Sequence, residues 1–366
     1  MLLRYKINPI SPVITPLMSD TLFGHFCWAM RYKEGESCLE NFLSLYKEGK
    51  QPPVLFSSAF LSGYLPRPVL PPPGRSLMSE FIEKHFINDP DELFPGLSEK
   101  QKRFKGLSKL KEWNKRRLIS IETWMELKEN YSEYRLQKKF YDQFKTASQK
   151  NTEKNTEKNT NGKNNSIDDQ KNSVTEITVS NTLSRISGSV QEEGGGLFSR
   201  EKTWFHSHGE LDLYVEINTD EFTSIVKWFL GTYLPAAGYG KDKSVGMGIL
   251  EIHEDKTFNP DIFKVHSTNA CMVLSLTSFD GMENYKSFYR LKTKFGKLGG
   301  DFAFSSPTGG NPRPFKKPIL MMEPGSIFFT SQQINNNKLI QNVHTDERIR
   351  HCGLPVTLPL KIMEDK

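Results

Sequence analysis

The stretch from residue 211 to 254 leaves the chain little conformational choice. Leu211, Leu213, Val215 and Ile217 alternate with Asp212, Tyr214 and Glu216, the period-two pattern of a strand. Phe222, Ile225, Val226, Phe229, Leu230 and Tyr233 then recur at helical spacing and predict an amphipathic helix that stops near Pro235. Asn218, with Glu221 three residues on, has the form of a capping box. The sequence GYGKDKSVGMG, residues 238–248, follows at once, and residues 249–253 read as a closing strand. A strand, a helix, a bare glycine-rich loop and a strand in this order must place two strands in one sheet with the helix across it.

The N-terminus supplies the matching half. Leu3, Tyr5 and Ile7 alternate with Arg4 and Lys6 as a half-buried strand. A helix is expected from Ser19, with Asp20 in its first turn and Leu22, Phe23, Phe26, Cys27 and Met30 on one face. VLFSSAFL, residues 54–61, suits a second strand. With insertions removed the order is strand, helix, strand, strand, helix, strand, which is that of a ferredoxin-like, RRM-like unit spanning residues 1–254. CMVLSLTSF at 271–279 and GLPVTLPLKI at 353–362 open and close a shorter remainder. The expected fold is therefore α+β, two fused ferredoxin-like domains, with the second over 255–366.

The insertions differ in kind. GYLPRPVLPPPG, residues 63–74, excludes regular structure through its prolines. Residues 76–145 read as a helical insertion, with Leu77, Met78, Phe81, Ile82, His85 and Phe86 as a stripe. Residues 100–117 carry nine Lys or Arg against one acid, Glu112. Residues 146–172 include the repetitive KNTEKNTEKNTNGKNN and offer almost nothing to bury, so a disordered insertion is expected. Residues 174–205 read as two strand-like arms around a glycine-rich, acidic tip, a protruding thumb hairpin.

Composition narrows the setting. The net charge of +6 permits a polyanionic partner. Cys27, Cys38, Cys271 and Cys352 are far apart and form no CxxC pair, which points away from a disulfide framework or zinc site and toward a reducing cytoplasm. No apolar run approaches a signal peptide or a membrane span, so no membrane partner is expected. No cofactor motif is present. The glycine stretch is not a P-loop, because Gly240-Lys241 is followed by Asp242 and a strand. Nor is it a dinucleotide turn, because position 243 is Lys and the order is helix, loop, strand. Two readings stay open: backbone amides and Lys241 and Lys243 approach phosphates, or the glycines serve turn geometry alone.

Five blocks occur in order: SDTLFGHFCWAM (19–30), SSAFLSGYLPRP (57–68), SNTLSRISGSVQEEGGGLF (180–198), the glycine loop, and RPFKKPILMMEPGSIFF (313–329). Together they resemble the RAMP superfamily of CRISPR ribonucleoproteins, and more narrowly the fourth subunit of the type III-A Csm effector complex. The resemblance covers nearly the whole chain except the insertion at 146–172. It implies a non-catalytic, RNA-binding antiviral-defence subunit that holds the repeat-derived 5′ handle of the CRISPR RNA (crRNA). It also implies that the subunit bridges the large polymerase-like (cyclase/HD) subunit to the backbone RAMP subunit.

On this reading the RNA-binding candidates are Ser19, Arg67, Asn181, Arg185, Gly238, Gly240, Lys241, Asp242, Lys243, Ser244, Gly246, Gly248, Lys294, Lys297 and Lys316. Asp242 either accepts from a base edge or pairs with a neighbouring cation. Arg67 either reaches RNA or holds a carbonyl. Lys294, Lys297, Lys316 and Lys317 with Tyr289 and Arg313 form a second basic and aromatic set, suited to single-stranded RNA or to a protein. Two other classes remain: a metal-independent RAMP endoribonuclease using a residue such as His25, and a scaffold that touches only protein. His206 and His208 invite a metal but show no third ligand.

Overall fold

The computed structural model describes residues 1–89, 93–155, 173–181, 187, 189, 196–206, 209–280, 285–303, 314–331 and 337–365. Mixed helix and sheet is the observed class. Leu2–Pro9, Val54–Phe56, Leu211–Ile217 and Leu250–Glu254 form one antiparallel sheet, lying in the spatial order second, third, first, fourth. Helix Ser19–Glu34 lies on the first crossover and the helical run from Thr223 to Ala237 on the second. This is the strand order of one ferredoxin-like sheet.

The expected single strand at 54–61 is divided. Val54–Phe56 and Phe60–Leu61 both pair with Leu211–Ile217. Between them the Ser58 amide turns away to the Leu274 carbonyl at 2.9 Å. The second helix ends close to Pro235, as expected. It includes a wide turn, Phe229–Tyr233, and ends at Gly238, whose φ of 73° a side chain would resist. Asn218 makes no capping box; its amide donates to the Pro52 carbonyl and to Glu216.

Leu211–Ile217 is buried on both faces rather than one. Leu213 and Val215 are buried in the same cluster as Phe26 and Phe229 of the two helices, while Tyr214 packs against Phe258 and Phe263 at ring distances of 5.8 and 5.6 Å. Buried Asp212 is paired with Lys6 at 2.6 Å and accepts from the Gly63 amide.

Ala270–Val273, Ser287–Phe288, Ile327–Phe328 and Thr357–Leu360 build a second antiparallel sheet, again in the order second, third, first, fourth. Among the described residues after 254 there is no α-helix. The two sheets are sewn together by serines. Ser275 Oγ donates to the Phe56 carbonyl at 2.8 Å, and the Leu276 amide donates to Ser19 Oγ at 2.9 Å. Hydrophobic packing runs through both sheets without a break, from Phe26 and Phe56 to Met272 and Leu358.

The basic insertion is helical over Arg75–Ile82, Glu99–Asn114, Ile121–Leu127 and Glu133–Asn155. Its Phe81, Phe86, Trp113, Trp124 and Tyr141 are buried in the same core. The last helix continues through 146–155, into the segment expected to lack structure. Helix propagation explains this: Phe140 and Tyr141 anchor the preceding turns in the core, and each further residue adds a hydrogen bond to an existing nucleus. Residues 156–172 lie outside the described residues.

Arg67 is corrected by this packing. It is buried, donates to the Trp113 carbonyl at 2.6 Å and pairs with buried Glu133, so of its two readings the carbonyl contact is the one observed. Burial pushes the Glu133 carboxyl upward, opposed by the Arg67 charge. Arg67→Ala would strand that carboxylate, at a cost of about 3–5 kcal/mol. Urea denaturation should show the loss. A change well under 1 kcal/mol would mean that Glu133 finds water or another donor.

Candidate nucleic-acid interface

The glycine loop is tied to the connection between the first strand and first helix. The Gly248 amide donates to the Pro12 carbonyl at 2.9 Å, and the Tyr239 amide to the Gly248 carbonyl at 2.8 Å. Tyr239 is buried, and its hydroxyl donates to the Pro16 carbonyl at 2.8 Å. The Lys241 amide donates to Thr15 Oγ1 at 3.0 Å, and the Gly240 amide to His25 Nε2 at 3.2 Å.

These bonds explain most of the bareness. A Cβ on Gly248 would lie 2.0 Å from the Tyr239 carbonyl oxygen, and one on Gly240 would lie 2.6 Å from Thr15 Cβ. Both residues also have positive φ, 67° and 77°. Gly238 and Gly248 are buried. Three glycines are therefore required by the fold. Gly246 differs: a Cβ there would meet nothing within 4 Å, so only its φ of 85° calls for glycine.

Around Gly246 the loop presents Lys241, Lys243 and Ser244 to solvent. Neither lysine forms an ion pair among the described residues. Asp242 is placed by a left-handed backbone, φ 60°, and pairs with Arg200 Nε at 3.1 Å. Of its two sequence readings, pairing with a cation is the one observed. That cation lies far off in sequence, on the hairpin.

Ser173–Ser180 and Phe198–Phe205 pair antiparallel along eight residues. The second arm rests on the body through paired backbone bonds between Val13 and Thr203, each 2.9 Å. Arg200 therefore sits where the hairpin meets the glycine loop, with its guanidinium 4.9 Å from the Phe198 ring centroid. Arg200 was not among the sequence candidates. Its signal was register: it lies opposite Thr178, two residues from the Phe198–Ser180 pair. Asn181 is exposed at the end of the first arm. Arg185, Arg313 and His208 lie outside the described residues. Among the described residues no cluster of metal-ligating side chains occurs.

Other candidates are turned inward. Ser19 is buried at the seam, and the helix is capped by Met18 without a side-chain bond. Asp20, also buried, pairs with Lys294 at 3.1 Å. Lys316 Nζ donates to the Arg350 carbonyl at 2.7 Å and lies 3.4 Å from His351 Nδ1. Burial lowers the Lys316 pKa, and Asp20 opposes the fall. Ser19, Lys294 and Lys316 thus join the two halves of the chain; of the lysines in that second set, Lys297 and Lys317 are exposed. The desolvation of Ser19, and a buried carboxylate that attracts Lys294, are the physical reasons.

No protein-family model and no curated protein matches the chain. Among solved structures, a chain of the crystal structure of the Csm1-Csm4 cassette in complex with cA4 aligns with all of this chain and all of its own, at 14% identity and a TM-score of 0.49. A chain of the Csm3-Csm4 subcomplex in the type III-A CRISPR-Cas interference complex covers 98% and 99%, at 14% identity and 0.49. A chain of the type III-B Cmr-beta complex bound to cognate target RNA covers 89% and 86%, at 13% and 0.38.

His25 is a positioning group of the loop. Burial first, and Lys243 second, depress its pKa to about 4. The folded pKa lies below the ordinary value of about 6.5, so its contribution is complete above about 6.5 and is lost as pH falls toward 4. His25→Phe removes the acceptor for Gly240 and should cost about 1 kcal/mol at pH 7. The gap to the parent should narrow or reverse by pH 4.5, where the parent alone must protonate. Equal gaps at both pH values, measured by denaturant titration, would contradict a neutral, buried imidazole.

Proposed function

We propose that this chain is a non-catalytic RNA-binding subunit of a type III-A CRISPR interference complex, in which it holds the repeat-derived 5′ handle of the crRNA. On the same reading it bridges the large polymerase-like subunit to a backbone RAMP subunit, and the chain is built from two fused RAMP-type units carrying a thumb. The ordered sequence blocks supply the class.

One observation carries the RNA assignment. Lys241, Lys243 and Ser244 stand exposed, with no acidic partner among the described residues, beside an open Gly246 on a loop whose Gly238, Tyr239, Gly240 and Gly248 are engaged with the protein. A loop that needs its glycines only for its own turns has no use for two unpaired cations at its apex. Phosphate does: a lysine ammonium neutralises it, and nearby backbone N–H groups complete the cradle. The hairpin arm meets this apex through Arg200 and Asp242. A strand of RNA on the loop therefore runs past the exposed Phe198 ring, a surface on which a base can stack.

The reading of His25 supports a binding role over cleavage. Its Nε2 is occupied by the Gly240 amide, and its depressed pKa leaves it a poor general acid near neutrality.

The test is a guide-RNA titration at several salt concentrations. Lys241→Ala with Lys243→Ala should weaken binding and flatten the slope of log K against log salt by about 0.7–0.9 for each phosphate no longer neutralised. Thermal stability should stay within about 0.5 kcal/mol of the parent, because both lysines are solvated. Unchanged affinity and slope would make the loop a turn and nothing more. Cleaved RNA on a denaturing gel, without added metal, would favour the endoribonuclease reading.

A further inference from the structure

Leu291–Lys294 and Ile319–Met322 form a two-stranded antiparallel ribbon, prolonged by a bridge between Lys297 and Phe315. In sequence its neighbourhood looks cationic and aromatic. The register divides it otherwise. Lys292 and Lys294 alternate with Leu291 and Thr293, and Lys294 turns inward to Asp20. Lys316 turns inward as well, to the Arg350 carbonyl. What remains outside is mostly apolar: Leu291, Phe295, Phe315 and Leu320 are each more than half exposed.

Three further features describe what fits there. The far edge of Leu291–Lys294 pairs with no other strand among the described residues, so it offers backbone donors and acceptors in strand register. The cations left at the rim, Lys297 and Lys317, form no ion pair with a described carboxylate. Phe295 and Phe315 are rings on which a base can stack, but Leu291 and Leu320 offer bases no stacking surface and a free strand edge pairs with peptide backbone, so the face as a whole suits a polypeptide.

We propose that the outer face of this ribbon is a docking surface for an extended apolar segment with acidic flanks, contributed by another protein chain of the assembly. Strand addition along the free edge supplies the backbone bonds. Leu291, Phe295 and Leu320 cover the apolar side chains, and Lys297 and Lys317 meet the carboxylates. The proposal rests on the proposed function only in requiring that the chain work within an assembly. Guide-RNA affinity of the isolated chain reports on the glycine loop alone and separates failure of one reading from failure of the other.

The experiment uses the complex purified by co-expression with its native neighbours. A carbodiimide joins lysine amines directly to carboxylates in contact with them. Lys297 and Lys317 should give zero-length cross-links to Asp or Glu of a different chain. The amides of 291–294 should exchange at least tenfold more slowly in the complex than in the isolated chain. Leu291→Glu with Leu320→Glu, and separately Lys297→Glu with Lys317→Glu, should each lower retention of the cross-linked chain about tenfold. The leucine pair should leave guide-RNA affinity of the isolated chain unchanged. The lysine pair is exposed and guards against misfolding as an explanation. Cross-links only to a second copy of this chain, photo-cross-links from Phe295 or Phe315 to RNA, or unchanged exchange at 291–294 would each overturn the proposal.

Discussion

The architecture turns on one buried carboxylate. Asp20 sits in the first turn of the first helix, where the helix dipole favours a negative charge, and the protein uses that charge internally. Lys294 reaches it at 3.1 Å, and His351 Nε2 lies 3.7 Å away. Removing two charges from water is costly unless their geometry and hydrogen bonds offset it, so the pair fixes how the ribbon must lie against the helix. Beside it, Ser19 accepts the Leu276 amide and its own amide donates to Ser58. Helix, first sheet and second sheet meet at these two consecutive residues. The helix N-terminus that could have held an external phosphate is thereby filled from within.

A division of labour on the surface follows from that pairing. The ribbon's inward lysines leave its outer face to leucine and phenylalanine, while unpaired cations gather on the glycine loop. The same residue types that look alike in sequence, lysines beside aromatics, end in opposite roles because strand register sends alternate side chains to opposite faces. Arg200 shows the converse. It gives no sign of importance in sequence, yet it joins hairpin and loop because the Val13–Thr203 bridge sets the hairpin's position.

Much of the frame was legible because it rests on periodicity. The alternation at 211–217, the helical stripes at 22–30 and 222–233, and the order of the four strands all reappear in the sheet and the helices that cross it. What escaped was set by distant partners. The wide turn Phe229–Tyr233 inside the second helix has no local signal in the sequence. Arg67 could not be placed without Glu133, which is 66 residues away and buried with it. Two readings of the glycines stayed open in the sequence, backbone bared to a ligand or turn geometry alone. Gly240 and Gly248 admit Thr15 and the Tyr239 carbonyl, contacts that no local pattern announces. Only Gly246, with nothing near it, keeps the first reading.

The register of the first strand also carries a temporal consequence. Leu2–Pro9 is central in its sheet, yet Leu2 pairs with Glu216 and Tyr5 with Glu254. Neither flank can be satisfied until roughly two hundred residues have followed it. At ordinary synthesis rates that interval is on the order of tens of seconds. Throughout it the first strand is a two-sided edge, open to foreign strands. The arginine and lysine on alternate positions, Arg4 and Lys6, later pair with Asp255 and Asp212. Before those partners exist, they are the strand's own guard against aggregation, and the nascent chain's vulnerability ends only when its last sheet strand emerges.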